Sequence, residues 1–286
     1  MFLLIFIGKL SYSQKKQHEL QYAIDSVGEW LNEIAICKNQ EERFKLNNYV
    51  ISYMDMLLHD DASFTMNFDS VKFMRVIDAK GGNLRVYTWN IFLDNGGFKY
   101  FGYLQHKAKK QINVFMLNDL SSDTVGVNRS FISHKEWYGA MYYEIVEKTW
   151  NKHTHYVLIG WDGADNLTNR KVLEPLTFNR RGLPVFGDKI FIVGKEKKPR
   201  VIFEYAEMAT MILRYNQKQD IIVIDHLVPS NPRFTGHYQY YGPDLSFDAF
   251  EYNMGRWYFI SNIDFNKAIN YEKKRKSKHD NIVRDY

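Results

Sequence analysis

Residues 71–105, VKFMRVIDAKGGNLRVYTWNIFLDNGGFKYFGYLQ, contain three strand-like runs separated by DAKGGN and LDNGG. Successive side chains of an extended chain point to opposite faces, so a period of two sorts residues between the two surfaces of a sheet. The Gly and Asn of the separators supply the positive φ that tight hairpin turns demand. The stretch therefore reads as an antiparallel meander. The same device continues through INVFMLND, GAMYYEIVEK, HYVLIGWDG, VLEPLTFNRRG, DKIFIV, RVIFEYAEMATMILRYNQKQDIIVIDHL and FDAFEYNMGRWYFISNID. At ordinary strand spacing this gives about ten to twelve strands. The aromatic share of 16% agrees, because broad rings fit a pleated, half-buried surface.

Upstream the period is different. Leu20, Ile24, Val27, Leu31 and Ile34 fall on one stripe of a 3.6-residue helix. Asn39 followed by Glu42 has the form of a capping box, which starts a second helix whose buried face holds Phe44, Val50, Ile51, Met54 and Leu57. Two amphipathic helices need a further apolar surface to cover their stripes. The expected fold class is α+β, mainly β: an N-terminal helical pair packed on an antiparallel β-meander, barrel-like or incomplete propeller-like.

Aromatic–Asn pairs close five runs: Trp89-Asn90, Trp150-Asn151, Phe178-Asn179, Tyr215-Asn216 and Tyr252-Asn253. The last three asparagines are spaced by 37 and 37, but the earlier intervals are 61 and 28. A propeller repeats at about 40 to 50 residues, so separate hairpins that each turn on an Asn account for the pairs at less cost.

The chain divides into an expected export leader at 1–13, a helical segment at 14–62, a β domain at 63–266 and a basic tail at 267–286. The leader reading rests on MFLLIFIG, which is too short to span a bilayer as a helix of about 20 residues, and on Ser11 and Ser13 before Gln14, which present small-x-small cleavage geometry. The mature chain is expected to lack a transmembrane segment and to reside in the periplasm or outside the cell. Net charge is +5, yet residues 14–266 carry 30 bases and 30 acids, and the excess lies at Lys9 and in the tail. A basic nucleic-acid groove has no compositional support. Cys37 is the single cysteine, which excludes an intrachain disulfide and CxxC chemistry.

No cofactor motif is present: no P-loop, no HExxH, no GxSxG and no GxGxxG opening a helix. A calcium loop of EF-hand type counted from Asp162 meets Ala164 at position three and Leu167 at position six, which rules that pattern out. WDGADN then reads as a hairpin connection closed by side chains of the Asx type. His153 and His155 share a strand face but lack a third zinc ligand. Asp225 and His226 are adjacent on an apolar strand and point apart. Glu204 and Glu207 lie in RVIFEYAEMATMILRY, where an ion pair serves register rather than reaction.

Two stretches, 119–136 and 228–246, lack periodicity and are rich in Ser, Pro, Gly and Asn, which marks long loops. GHYQYYGPD in the second presents Tyr238, Tyr240 and Tyr241 with Asp244, a set able to stack on sugar rings or a peptide. Trp161 and Asp162 complete the candidate binding residues, for a peptide, a glycan or an envelope protein. The alternative is a carbohydrate or cell-wall hydrolase with acids drawn from Asp162, Asp165, Asp225 and Asp244.

The phrases LRVYTWNIFLDNGGFKYFGYLQ, EWYGAMYYEIV, VLIGWDGADNLTNRKVLEPLTF, RVIFEYAEMATMILRY and HYQYYGPDLSFDAFEY together resemble an uncharacterised family of exported envelope proteins of Bacteroidota-type bacteria, over about residues 70 to 265. The resemblance implies an envelope location and carries no activity.

Overall fold

The turn residues act where the sequence places them. In the computed structural model, which describes residues 2–109, 111–120 and 129–264, with side chains from residue 14 onward, Gly82 (φ 65°) and Gly96 (φ 87°) take the left-handed conformation at the first two hairpins. These turns join β1 (Met74–Asp78), β2 (Leu84–Phe92) and β3 (Phe98–Ala108), and β4 (Gln111–Asn118) completes a four-stranded antiparallel sheet in the order β1-β2-β3-β4. Gly96 also has a packing role. A Cβ there would sit 2.2 Å from the Asn166 side chain, so only glycine lets the second hairpin approach the tip of a neighbouring one.

Two helices cover one face of this sheet. Helix α1 (Phe2–Ile36) extends its backbone back through the leader-like residues, and α2 (Gln40–Leu58) follows a short turn. All five residues of the α1 stripe are buried, together with Val50, Met54 and Leu57 of α2; Phe44 and Ile51 are partly buried. Asn39 caps α2 by accepting from the Glu42 amide at 2.9 Å. The reciprocal half of the capping box is replaced, since the Glu42 carboxylate lies 3.3 Å from Lys45 one turn ahead. Trp89 of β2 anchors the joint: its indole N–H donates to Asn47 of α2 at 2.7 Å, and its ring stacks on Phe101 and Tyr103. Deleting a buried ring of this size costs about 3–5 kcal/mol in a typical core.

The opposite face of the first sheet packs on a second sheet. Its strands are β5 (Ile132–Ser133), β6 (Met141–Trp150), β7 (His153–Asp162), β8 (Thr168–Phe178) and β9 (Pro184–Phe186), in the order β5-β9-β8-β7-β6. A further strand, β12 (Val201–Ala206), shares the free edge of β8 with β9. The third sheet contains β10 (Phe191–Val193), β11 (Glu196–Lys198), β13 (Leu213–Asn216), β14 (Ile221–Pro229), β15 (Tyr241–Asn253) and β16 (Arg256–Ile263), in the order β11-β10-β16-β15-β14-β13. Strand pairing is antiparallel except for β10 with β16. Separate apolar clusters fill the helix–sheet layer and the two sheet–sheet layers.

The α+β, mainly β architecture is thus as expected, with two corrections. The sheets are open and stacked: among the described residues they close neither into a barrel nor into equal four-stranded blades. Among the described residues there are sixteen strands rather than ten to twelve; β5, β9 and β11, two or three residues long, are too short to show alternation and fall outside the runs visible in sequence. Four of the five aromatic–Asn pairs mark hairpin turns, while Asn90 sits within β2. Among the described residues, no helix is long and apolar enough to cross a membrane.

Two histidines sit in the layer between the first and second sheets. His106 of β3 stacks on Phe178 of β8 with ring centroids 3.6 Å apart, and His134 lies against Phe115 of β4. The Nδ1 atoms of both are buried without a hydrogen-bond partner. Burial holds both imidazoles below the usual histidine range, with Lys135 adding repulsion at His134. A base whose folded pKa is lowered binds its proton more readily in the unfolded chain. Its contribution is therefore intact above about pH 6.5 and is lost as pH falls through the folded value. The melting temperature is expected to drop between pH 7.5 and pH 5, and His106→Phe, which keeps the stacked ring, should reduce that drop in thermal melts; an unchanged acid sensitivity would refute this assignment.

Candidate functional site

The 228–246 segment is not a long loop. Strand pairing runs into it from both sides, with Leu227 opposite Pro243, Val228 opposite Gly242 and Pro229 opposite Tyr241. Pro229 and Pro243 interrupt the alternation in sequence without interrupting the hairpin. What remains irregular is a tip of residues 230–240, and local hydrogen bonds define its conformation. Asn231 accepts from the Arg233 amide, Thr235 donates its hydroxyl to the Pro232 carbonyl, and the Ser230 amide closes the tip on the Tyr240 carbonyl. Gly236 (φ 86°) turns the chain, and its amide donates to the Tyr241 hydroxyl.

This tip presents Tyr238 and Tyr240 at 45% and 42% exposure. Tyr240 stacks on Phe234 at 4.1 Å, and Tyr238 packs beside Tyr241 at 5.2 Å. Each ring has one side held by a neighbour, and nearly half of each side chain's surface remains in water. Asp244 lies further along β15, exposed, with Oδ1 accepting from both the amide and the hydroxyl of Ser246. Those bonds hold its carboxyl below the usual range. Leu245 beside it takes the left-handed conformation (φ 72°) and is 88% exposed. Tyr238, Tyr240, Tyr241 and Asp244 therefore belong to one hairpin.

Trp161 and Asp162 belong elsewhere, at the end of β7 in the second sheet. Trp161 is half-buried, edge-on to Phe98, and bonded to the Tyr205 hydroxyl. Asp162 is an internal linchpin. Its Oδ1 accepts from the Tyr100 hydroxyl and the Ala164 amide, and its Oδ2 accepts from the Tyr138 hydroxyl at 2.8 Å with Arg170 at 3.5 Å. Both tyrosines are held well above their ordinary range, chiefly by burial and then by the Asp162 charge. Asp165 closes the connection by accepting from the Leu167 and Thr168 amides, the Asx pattern anticipated for WDGADN. Glu204 pairs with Arg170 directly opposite it on β8, at 2.9 Å, which ties β12 to its register.

A different polar cluster forms around His226. Strand β15 inserts residues 244–246 between the partners of Asp225 and Leu227, producing a bulge. His226 Nδ1 lies 2.8 Å from Asp248 on β15, and the second oxygen of Asp248 accepts from the Asn262 amide. Asp248 raises the His226 pKa above the ordinary value. Asp225 is buried, and burial pushes its carboxyl up; the Ile212 amide and Arg214 pull against this, and the Asp244 charge adds to it. Asp225 and His226 do not face each other, as alternation requires; the partner that sequence reading missed is Asp248, which carries no local signal.

Also missed was the Glu174–Arg200 ion pair, which has no exposed side-chain surface. Arg200 additionally lies over the Tyr138 ring at 5.1 Å. A lone acid inside VLEPL and the last base of KEKKPR before VIFEY were the available signals, but nothing in sequence pairs them. His155 Nδ1 is 3.7 Å from Asp188. Among the described residues, no group of three potential metal-ligating side chains is assembled. Residues 121–128 of the other loop candidate lie outside the described residues. No protein-family model matches this chain, and no curated protein matches it.

The placement of Asp162 has a measurable consequence. Removing a buried carboxylate that holds two tyrosine hydroxyls and faces a guanidinium leaves both hydroxyls without an acceptor and Arg170 with Glu204 as its remaining acid, so Asp162→Ala should lower the unfolding free energy in urea by about 3 kcal/mol. Asp165→Ala, which loses only turn contacts, should cost about 1 kcal/mol. Equal stability of Asp162→Ala and the parent would remove the structural role assigned to this acid.

Proposed function

We propose that this chain is an exported cell-envelope protein that binds a glycan, a peptide or an envelope protein through the β14–β15 tip, and that it does not turn its ligand over. The observation that carries this reading is the pair of half-exposed tyrosines, Tyr238 and Tyr240, on a tip held by its own turn hydrogen bonds and the Phe234 stack. A preorganised aromatic platform loses little conformational freedom when a flat or ring-shaped ligand settles on it, so more of the stacking energy becomes affinity. The periplasmic or secreted location is supported by the leader-like pattern of residues 1–13 and by the resemblance to Bacteroidota-type envelope proteins.

One observation favours a second reading, a hydrolase of carbohydrate or cell-wall material. Asp225 and Asp244 have their acidities pushed in opposite directions, and separated acidities are what a general acid and a general base require. Asp162 and Asp165, both committed to structural hydrogen bonds, leave this alternative resting on Asp225 and Asp244 with His226 and Asp248 alongside.

Both readings meet in one experiment with purified cell-wall sacculi. Co-sedimentation should retain the wild-type chain, and Tyr238→Ala/Tyr240→Ala should weaken binding at least tenfold, equivalent to about 1.4 kcal/mol, with no release of reducing ends. Undiminished binding by the double variant would exclude the tip. Release of reducing ends by wild type that falls about a hundredfold in Asp225→Asn would replace the binding reading with the hydrolytic one.

A further inference from the structure

At the far end of β14 from the aromatic tip, about 27 Å away along a strand of this length, three tight turns converge. They are Asn151–Lys152 between β6 and β7, the 217–220 turn between β13 and β14, and Met254–Gly255 between β15 and β16. The third sheet presents three aromatic rings there, Tyr215 of β13, Tyr252 of β15 and Trp257 of β16. Tyr252 and Trp257 are direct cross-strand partners with centroids 5.1 Å apart, and Tyr215 stands edge-on to Trp257 at 6.3 Å. All three lie beside a single ammonium, Tyr215 by its hydroxyl edge. Lys148 reaches across from β6 of the second sheet and places Nζ 5.4, 5.0 and 5.8 Å from the centroids of Tyr215, Tyr252 and Trp257.

One wall of this box is a carboxylate. Lys148 Nζ donates to Asp220 and, at 3.1 Å, to the Tyr215 hydroxyl, which itself donates to Asp220 Oδ1 at 2.7 Å. Asp220 sits in the left-handed conformation (φ 56°) at the end of its turn. Trp257 is fully buried at the back, whereas the Asp220 side chain is 48% exposed, so the box opens to water on the carboxylate side.

We propose that this box is a binding site for alkylammonium ligands and that Lys148 is its tethered resting occupant. An ion pair between two sheets needs only the carboxylate. The Tyr252 and Trp257 rings beside one cation, with the Tyr215 hydroxyl at its edge, supply what a weakly hydrated quaternary ammonium uses best and a strongly hydrated lysine ammonium uses less. The flexible four-carbon stem of Lys148 lets its head swing past Asp220 into solvent when a ligand enters. A tethered occupant competes at an effective concentration on the order of millimolar. Ligand affinity in the wild-type chain is therefore reduced by the fraction of molecules whose box is vacant, and removing the lysine head restores the intrinsic value. Free choline-like cations and the trimethyllysine of a partner protein share this chemistry.

Isothermal titration calorimetry at constant ionic strength, with choline and with free Nε-trimethyllysine as probes, tests the assignment. Lys148→Ala, checked for folding by circular dichroism, should bind one or both at least tenfold more tightly than wild type, and adding Tyr252→Ala should abolish the gain. Preference between the two probes distinguishes a free small cation from a methylated protein. In the wild-type chain, choline should accelerate acylation of Lys148 by an N-hydroxysuccinimide ester, mapped by mass spectrometry, while sodium chloride at the same concentration should not. A folded Lys148→Ala that binds neither probe more tightly than wild type overturns the proposal and leaves Lys148 as a rivet between sheets. Should Lys148→Ala fail to fold, the wild-type acylation measurement decides: rates indifferent to choline overturn the site.

Discussion

The structure depends on the second sheet being buried on both faces. Tyr156, Val157, Leu158, Ile159 and Gly160 of β7 are consecutive and all buried, as are Val172 to Leu176 of β8. One set of alternate side chains enters the layer shared with the first sheet and the other enters the layer shared with the third. The helices then need only to cover the outer face of the first sheet, and Trp89 with Asn47 fixes where they sit. The run YVLIG is apolar without interruption for this reason, and VLEPL is broken only by Glu174, which is paired with Arg200: a strand with no solvent face has no polar half to alternate with.

Burial on both faces also determines how polar residues in those strands behave. Asp162, Glu174 and Arg200 are inside, where an unpaired charge is far more costly than a paired one. Each has found partners from a different sheet or strand: Asp162 holds Tyr100 of the first sheet, and Arg200 lies against Glu174 of β8. These contacts hold layers together in a defined arrangement rather than merely adding attraction. The same logic separates them from the third sheet's bulge, where Asp225, His226, Asp244 and Asp248 lie near a half-exposed rim. Asp162, Glu174 and Arg200 are occupied by partners within the protein, whereas the bulge keeps Asp244 and His226 within reach of solvent.

Much of the fold was legible because hairpins are local. DAKGGN, LDNGG and WDGADN each carry enough turn chemistry to close a hairpin between adjacent runs, and each does so. The tyrosine tip was legible as an exposed cluster, but its extent was misjudged because Pro229 and Pro243 mask two paired stretches. His226 with Asp248 and Glu174 with Arg200 were not legible, since their members are 22 and 26 residues apart with no spacing rule to join them. Asp162 is buried against Tyr100 of the first sheet and Trp161 is half-buried against Phe98, a placement that the glycine-rich turn beside them does not reveal.

By itself the sequence determined the local geometry: where helices start, where strands turn, which side chains share a face, and that the body of the chain is electrically neutral. Those properties follow from φ preferences and from fixed helical and extended periods, which act within a few residues. Only the tertiary structure decided that the sheets stack openly rather than close, that β12 inserts beside β8 and that β10 runs parallel to β16. It alone also brought Lys148 into a box of three rings. Each of these is a choice among distant surfaces of similar chemistry, made by which combination buries the most apolar area while leaving the fewest charges unpaired.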